Sequence, residues 1–296
     1  MDICKFEKGL SKIYKVNRKN FEETTNKDRR YIKPDKKGKN QYYGYCPECD
    51  NPIVLVNLFV TQEKNGKPIK IYGKHSVEGN PFDSFDSLKY ERCPLRNKNR
   101  IPFSGGEKHS DDKLAEKIKD TINNNACKIK YFISKVMGIE VSSKLFILLI
   151  KEFHKSQGYY YKGLTKGNLP YLILYLSHQK SIEWQYIKKG CKESKEVEEK
   201  SKYFVISENR QILLKKNYKN ERYKPTIVTV FKDHSYNTNN EQSFIYQVFE
   251  KFNKKEYLLY EQKIDFDMSY FYNLLNFEAK DKKCEIEEEV RKILKQ

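Results

Sequence analysis

The chain has 296 residues, 38% hydrophobic and 14% aromatic, with 23 Tyr and 17 Phe. That aromatic content excludes a disordered chain, because rings carry much of the area a core buries, and the length suits two domains or one domain with an appended module. Lys and Arg outnumber Asp and Glu by 58 to 40, a formal charge of +18, which favours a polyanionic partner: nucleic acid, or a nucleoprotein complex on which the chain docks as an accessory or inhibitor subunit.

Residues 1–40 hold 13 Lys/Arg against 6 Asp/Glu and read as a basic N-terminal arm. Within it Arg29, Arg30, Lys33, Lys36 and Lys37 surround Tyr31 and turn-forming residues. Cations neutralise phosphates and Tyr stacks on bases, so the run suits nucleic-acid contact.

Residues 41–103 read as a zinc-binding β module. Cys46 and Cys49 lie two residues apart in a Gly/Pro-rich turn, the half-site of a structural zinc centre. Zinc takes four ligands in a tetrahedron. His75 and Cys93 supply the other two and complete the pattern C-x2-C-x25-H-x17-C. With four protein ligands no position is left for a reactive water, so the expected zinc is structural. Ile53–Val60 is β-branched and apolar and predicts a strand. Lys64–Pro68 is a turn, and Ile69–Tyr72 returns toward His75. The linker after Cys93 carries Arg96, Lys98 and Arg100, a second candidate phosphate contact.

Residues 104–190 read as a helical bundle. Ser110 is the expected cap of a first helix through Leu114, Ile118 and Ile122, ended by Asn123-Asn124-Asn125. Ile129 to Val136 form a second helix closed by Gly138, Ser142 caps a third, and Pro170 opens a fourth. Between the last two, Tyr160, Tyr161, Lys162 and Lys166 form a Tyr/Lys-rich loop that suits stacking and phosphate contact or closes the bundle's end.

Residues 191–296 read as a C-terminal α+β region. A charge-dense stretch to Lys202 precedes a hairpin, Tyr203–Ile206 with Gln211–Leu214, and a strand at Thr226–Phe231. Phe244, Ile245, Val248, Phe249 and Phe252 then recur at helical spacing, Tyr257–Ile264 reads as a strand, and the end reads as helical with Ile286, Val290, Ile293 and Leu294 on one stripe. The expected fold class is therefore α+β and predominantly helical.

No hydrolase or deaminase motif is present, so a non-catalytic binding protein is the first expectation. The alternative enzyme is a Mg-dependent nuclease, for which Asp83, Asp86 and Glu91 beside Lys89, or Asp265 with Asp267, are loose carboxylate sets. His109 and His234 sit in expected loops without a partner motif. No apolar run approaches the roughly 20 residues of a membrane span, and seven cysteines, three of them assigned to metal, argue against a disulfide framework; both fit a cytoplasmic protein.

Overall fold

The computed structural model describes residues 1–9, 12–60, 63–64, 67–77, 85–96, 103–188, 190–236, 241–277 and 285–295. β1 (Ile3–Cys4) pairs with β2 (Tyr14–Lys15), and α1 (Arg18–Thr25) follows. Asn17 caps α1 by accepting from the Asn20 amide, and Asn26 ends it in the left-handed region. Phe21 of α1 is fully buried, edge-on to Phe6, Tyr42 and Phe59. Ile3, Cys4, Phe6, Ile13, Val16 and Phe21 are core residues, which their scatter among lysines concealed.

The chain then forms β3 (Ile32–Pro34), β4 (Asn40–Tyr45) and β5 (Pro52–Val56). A short hairpin of β6 (Glu63–Lys64) and β7 (Lys67–Pro68) leads to β8 (Tyr72–His75). The antiparallel sheet runs β3-β4-β5-β8. Its register sets Ile32, Tyr42, Gly44, Ile53, Leu55, Gly73 and His75 on one face, and Lys33, Gln41, Tyr43, Tyr45, Pro52, Val54, Val56, Tyr72 and Lys74 on the other. The first face covers the N-terminal core. Gly73 packs closely there: a Cβ would lie 2.9 Å from Ile53 Cδ1 and 3.0 Å from Met1 Cγ, and those side chains would have to shift to admit it.

After α2 (Ser87–Glu91) comes α3 (Asp112–Met137), two helical segments that meet at a kink, as the asparagine run predicts. The break falls within the asparagine run. Asn125 leaves helical geometry (φ −138°, ψ 24°), yet Ala126, Ile129, Phe132 and Ile133 continue the buried stripe of Ile118 and Ile122. Its cap is Asp111, which accepts from the Leu114 amide, in place of Ser110. Gly138 ends the helix at φ 66°, as expected. β9 (Ile139–Glu140), α4 (Ser143–Lys155) with Ser142 as its cap, and α5 (Leu169–Tyr175) with Pro170 in its first turn complete the helical part.

β10 (Lys180–Ser181), β11 (Tyr186–Ile187), α6 (Lys192–Lys200) and the hairpin β12 (Phe204–Ile206) with β13 (Ile212–Leu214) lead into three eleven-residue strands, β14 (Thr226–Tyr236), β15 (Gln242–Phe252) and β16 (Lys255–Asp265). They form a sheet in the order β10-β14-β15-β16. The helix expected from Phe244 to Phe252 is the central strand β15. Its even-numbered residues from Gln242 to Glu250 are buried and Ile245 and Phe249 on the other face are half-buried, so apolar residues stand at both parities, and adjacent pairs such as Phe244-Ile245 and Val248-Phe249 imitate a helical stripe. This strand and its neighbours overturn the helix-dominated class: the described chain is a mixed α/β structure, 37% helix and 27% strand. α7 (Met268–Asn276) and α8 (Ile286–Leu294) close the chain, with the Ile286/Val290/Ile293/Leu294 stripe buried against α3 and α4.

Bundle and large sheet share one aromatic core. Tyr171 of α5 stacks on Phe266 (3.9 Å), and Phe132 of α3 meets Tyr171 and Phe271 edge-on. A buried polar joint lies beside it. His234 Nδ1 accepts from the Phe103 amide (2.8 Å), and its Nε2 faces Gln242 Oε1 (3.1 Å), which also accepts from Asn168 Nδ2 (3.1 Å). Among the described residues, Cys4, Cys46, Cys49, Cys93 and Cys191 form no disulfide, whereas Cys127 on α3 is disulfide-bonded. No described helix is long and apolar enough to cross a membrane.

Candidate metal centre

The β4–β5 connection is a tight turn. The Cys46 amide donates to Asn51 O (2.9 Å), the Asp50 amide donates to Cys46 O (3.1 Å), and Asp50 takes a left-handed φ of 59°. The turn points Cys46 and Cys49 to one side. Across the sheet, Ile53 of β5 pairs with His75, the last residue of β8, so the register of two strands delivers the imidazole to the same place. Cys93 arrives just after α2, where its amide donates to Tyr90 O (3.0 Å).

The four donor atoms lie within 4.8 Å of one another, and all four side chains are buried. Cys46 Sγ and Cys93 Sγ are 3.6 Å apart, and Cys49 Sγ is 3.4 Å from His75 Nε2. A tetrahedron with Zn–S of about 2.3 Å and Zn–N of about 2.05 Å has S–S and S–N edges of about 3.8 and about 3.6 Å. The donor set therefore fits a four-coordinate metal ion. Burial pushes the Cys46 thiol up, whereas hydrogen bonding from Cys46 holds the Cys49 thiol low. A bound dication would hold all three sulfurs as thiolates.

The surroundings hold the ligands. Asn51, 2% exposed, points Nδ2 at Cys49 Sγ (3.4 Å) and at Asp86 O (3.0 Å), while its Oδ1 accepts from the Asp86 amide (2.7 Å). It thereby ties the cysteine turn to the start of α2. Tyr90 meets the His75 ring edge-on (4.9 Å), and the Arg96 guanidinium covers Tyr90 (4.5 Å). Glu48, between the two cysteines, is half-buried; burial raises its carboxyl above the usual range, and it is bonded by the Tyr272 hydroxyl and by the Lys166 amide (3.2 Å). That contact joins the centre to α7. Asn51 and Glu48 escaped the sequence reading. The Asn-Pro dipeptide signals a turn but not a side chain aimed back at the sulfur.

The expected phosphate contacts divide. Arg29, Lys33, Lys36 and Lys37 are exposed on or beside the β3–β4 hairpin and form no ion pair among the described residues. Arg30 pairs with Asp28 (3.0 Å). Arg96 is bonded to Glu91 and largely covered. Lys98 and Arg100 lie outside the described residues. Tyr160 donates its hydroxyl to Asp112 Oδ1 (2.7 Å), Tyr161 lies under the Lys108 ammonium (5.6 Å), and Lys162 pairs with Glu107 (3.0 Å), so this loop is engaged with the start of α3.

The candidate nuclease carboxylates do not converge. Asp83 lies outside the described residues. Asp86 caps α2, Glu91 holds Arg96, Asp265 pairs with Lys263 (3.2 Å) and Asp267 caps α7. Among the described residues, the Cys/His cluster is the one group of three or more such side chains close enough for a metal. His109 accepts from the Asp111 amide at the entry to α3 (3.0 Å), and His234 belongs to the buried joint.

No protein-family model matches the chain, and neither a curated protein nor a solved structure matches it.

Proposed function

We propose that the chain is a zinc-stabilised nucleic-acid-binding protein that grips the phosphate backbone through the β3–β4 hairpin of its metal-tied sheet. Three thiolates and one imidazole favour zinc over harder ions, and the closed coordination assigns the metal to folding rather than to chemistry. The observation that carries the binding reading is the hairpin. Arg29, Lys33, Lys36 and Lys37 are exposed there without acidic partners among the described residues, while many other basic side chains sit in local ion pairs. Asp35, the acid inside the hairpin turn, is occupied by the Lys37 and Lys39 amides (2.8 and 2.9 Å).

The test is equilibrium binding of labelled DNA and RNA across a salt series. The logarithm of affinity is expected to fall linearly with that of salt, and each of Lys33→Ala, Lys36→Ala and Lys37→Ala to lower the slope by about one. Binding that ignores salt, or that all three substitutions leave untouched, rules the reading out.

A further inference from the structure

We propose that the outward face of the β3-β4-β5-β8 sheet is a stacking platform for single-stranded nucleic acid. The proposal rests on the nucleic-acid reading above and names both the strandedness of the ligand and the surface that takes its bases.

The register carries the argument. That face holds Lys33 on β3, Gln41, Tyr43 and Tyr45 on β4, Pro52, Val54 and Val56 on β5, and Tyr72 and Lys74 on β8. None of these positions is acidic. Tyr45 and Tyr72 are half-exposed at opposite corners, roughly 17 Å apart by standard strand spacing. Tyr43 lies between them, nearly covered, with its hydroxyl donating to Gln41 Oε1 (2.8 Å). Val54 and Val56, half-exposed, continue the apolar floor.

Cations frame it. Lys8 Nζ stands 5.7 Å from the Tyr45 ring centre and Lys70 Nζ 5.2 Å from that of Tyr72. Lys74 and Lys33 are exposed on the two outer strands. Pro52 and Tyr43 are buried on this face, so the accessible rings are Tyr45 and Tyr72; rings presented on a sheet stack unpaired bases, and lysines at its rim take the phosphates between them. A duplex keeps its bases stacked inward and offers these rings nothing to stack on. Lys33 pairs with Gln41 of β4 on this same face, so the platform adjoins the β3–β4 hairpin along its β3 edge. The face lies opposite His75, on the side of the sheet away from the metal centre.

The experiment compares short labelled single strands, ribo- and deoxyribo-, with the corresponding duplexes, using the full chain in its zinc-bound form. Single strands are expected to bind more tightly than duplexes. Tyr45→Ala and Tyr72→Ala are each expected to weaken single-strand binding about tenfold with the salt slope unchanged, and Tyr72→Phe to restore it. Photocrosslinking of a halouracil-bearing strand to the unsubstituted protein should yield adducts at Tyr45 or Tyr72, a readout independent of how the variants fold. Equal binding of single strands and duplexes with adducts confined to the β3–β4 hairpin overturns the platform and leaves the backbone grip standing. No binding to any polynucleotide overturns both. Binding of poly-glutamate in preference to every polynucleotide, lost on Lys74→Glu, assigns the face to an acidic protein and overturns the platform as well.

Discussion

The side chain of Asn51 reads both backbone polar groups of Asp86: its amide donates to the Asp86 carbonyl at 3.0 Å and its oxygen accepts from the Asp86 amide at 2.7 Å. The same amide nitrogen faces Cys49 Sγ. One buried residue therefore fixes the distance between the turn that carries two ligands and the short helix that delivers the fourth. Asn51→Ala removes three contacts and leaves the Asp86 backbone groups without these partners, a cost of about 1–3 kcal/mol. Asn51→Ala is expected to retain zinc at neutral pH but to surrender it faster to a chromogenic chelator, with a lowered thermal midpoint. Unchanged release and an unchanged midpoint would show that α2 is held by other means.

Metal analysis should return about one zinc per chain. Cys46→Ser and Cys49→Ser should each abolish it and increase hydrogen exchange across residues 41–60 and 67–77. His75→Cys keeps four soft ligands and should retain the ion. Because three thiols must be deprotonated, zinc affinity should fall steeply with acidification and protons should be released on binding. A chain that keeps its zinc in both serine variants would place the centre elsewhere.

His234 supplies an acid-sensitive joint independent of the metal. Burial lowers its pKa from 6.5 to about 4, and the Phe103 amide already occupies Nδ1, so the protonated ring would set two donors face to face. The folded pKa lies below the unfolded one. The joint's contribution is therefore complete above about pH 6.5 and is lost as the pH falls toward 4, about 3 kcal/mol in all. His234→Gln should lower stability at pH 7 but flatten its dependence between pH 6.5 and 4. Urea midpoints of both proteins, measured with excess zinc at each pH, give the difference free of any common effect of metal release. Parallel curves would mean that His234 does not titrate in this window.

The metal ligands were legible because thiol and imidazole chemistry is rare, and two cysteines in a turn have few other uses. The caps at Ser142 and Gly138 were legible because each satisfies a local rule. Long-range context hid the rest. β15 imitated a helix because a strand with apolar residues on both faces loses its period of two, and what covers them comes from elements distant in sequence. The break in α3, by contrast, was legible in Asn123–Asn125, three poor helix formers in a row, of which Asn125 leaves helical geometry. The lysine-rich N-terminus concealed Phe6 and Phe21 because composition averages over a core it does not resolve. Of the proposed phosphate contacts, chemistry alone could not separate the free Lys33 from the engaged Lys162, since the difference is whether an acid such as Glu107 comes near in space.

Glu250 offers the sharpest test of the C-terminal part. It sits near the C-terminal end of β15, fully buried, and its carboxylate accepts from the Ser201 hydroxyl (2.7 Å) and from the amides of Lys202 (3.1 Å) and Tyr203 (3.3 Å). These donors belong to the segment joining α6 to β12, so one side chain pins that connection to the sheet. Lys215 reinforces it by donating to Ser201 O (2.9 Å) and Lys202 O (3.0 Å). Glu250→Ala leaves three donors facing a cavity and should cost about 3 kcal/mol or more. Glu250→Gln keeps one acceptor oxygen but turns an amide group toward a donor, and should fall between the two. The order Glu, Gln, Ala in urea midpoint, with zinc content unchanged throughout, is the expected result. An alanine variant as stable as the parent would mean that the α6–β12 connection draws its position from the packing of Val197 and Phe204 alone.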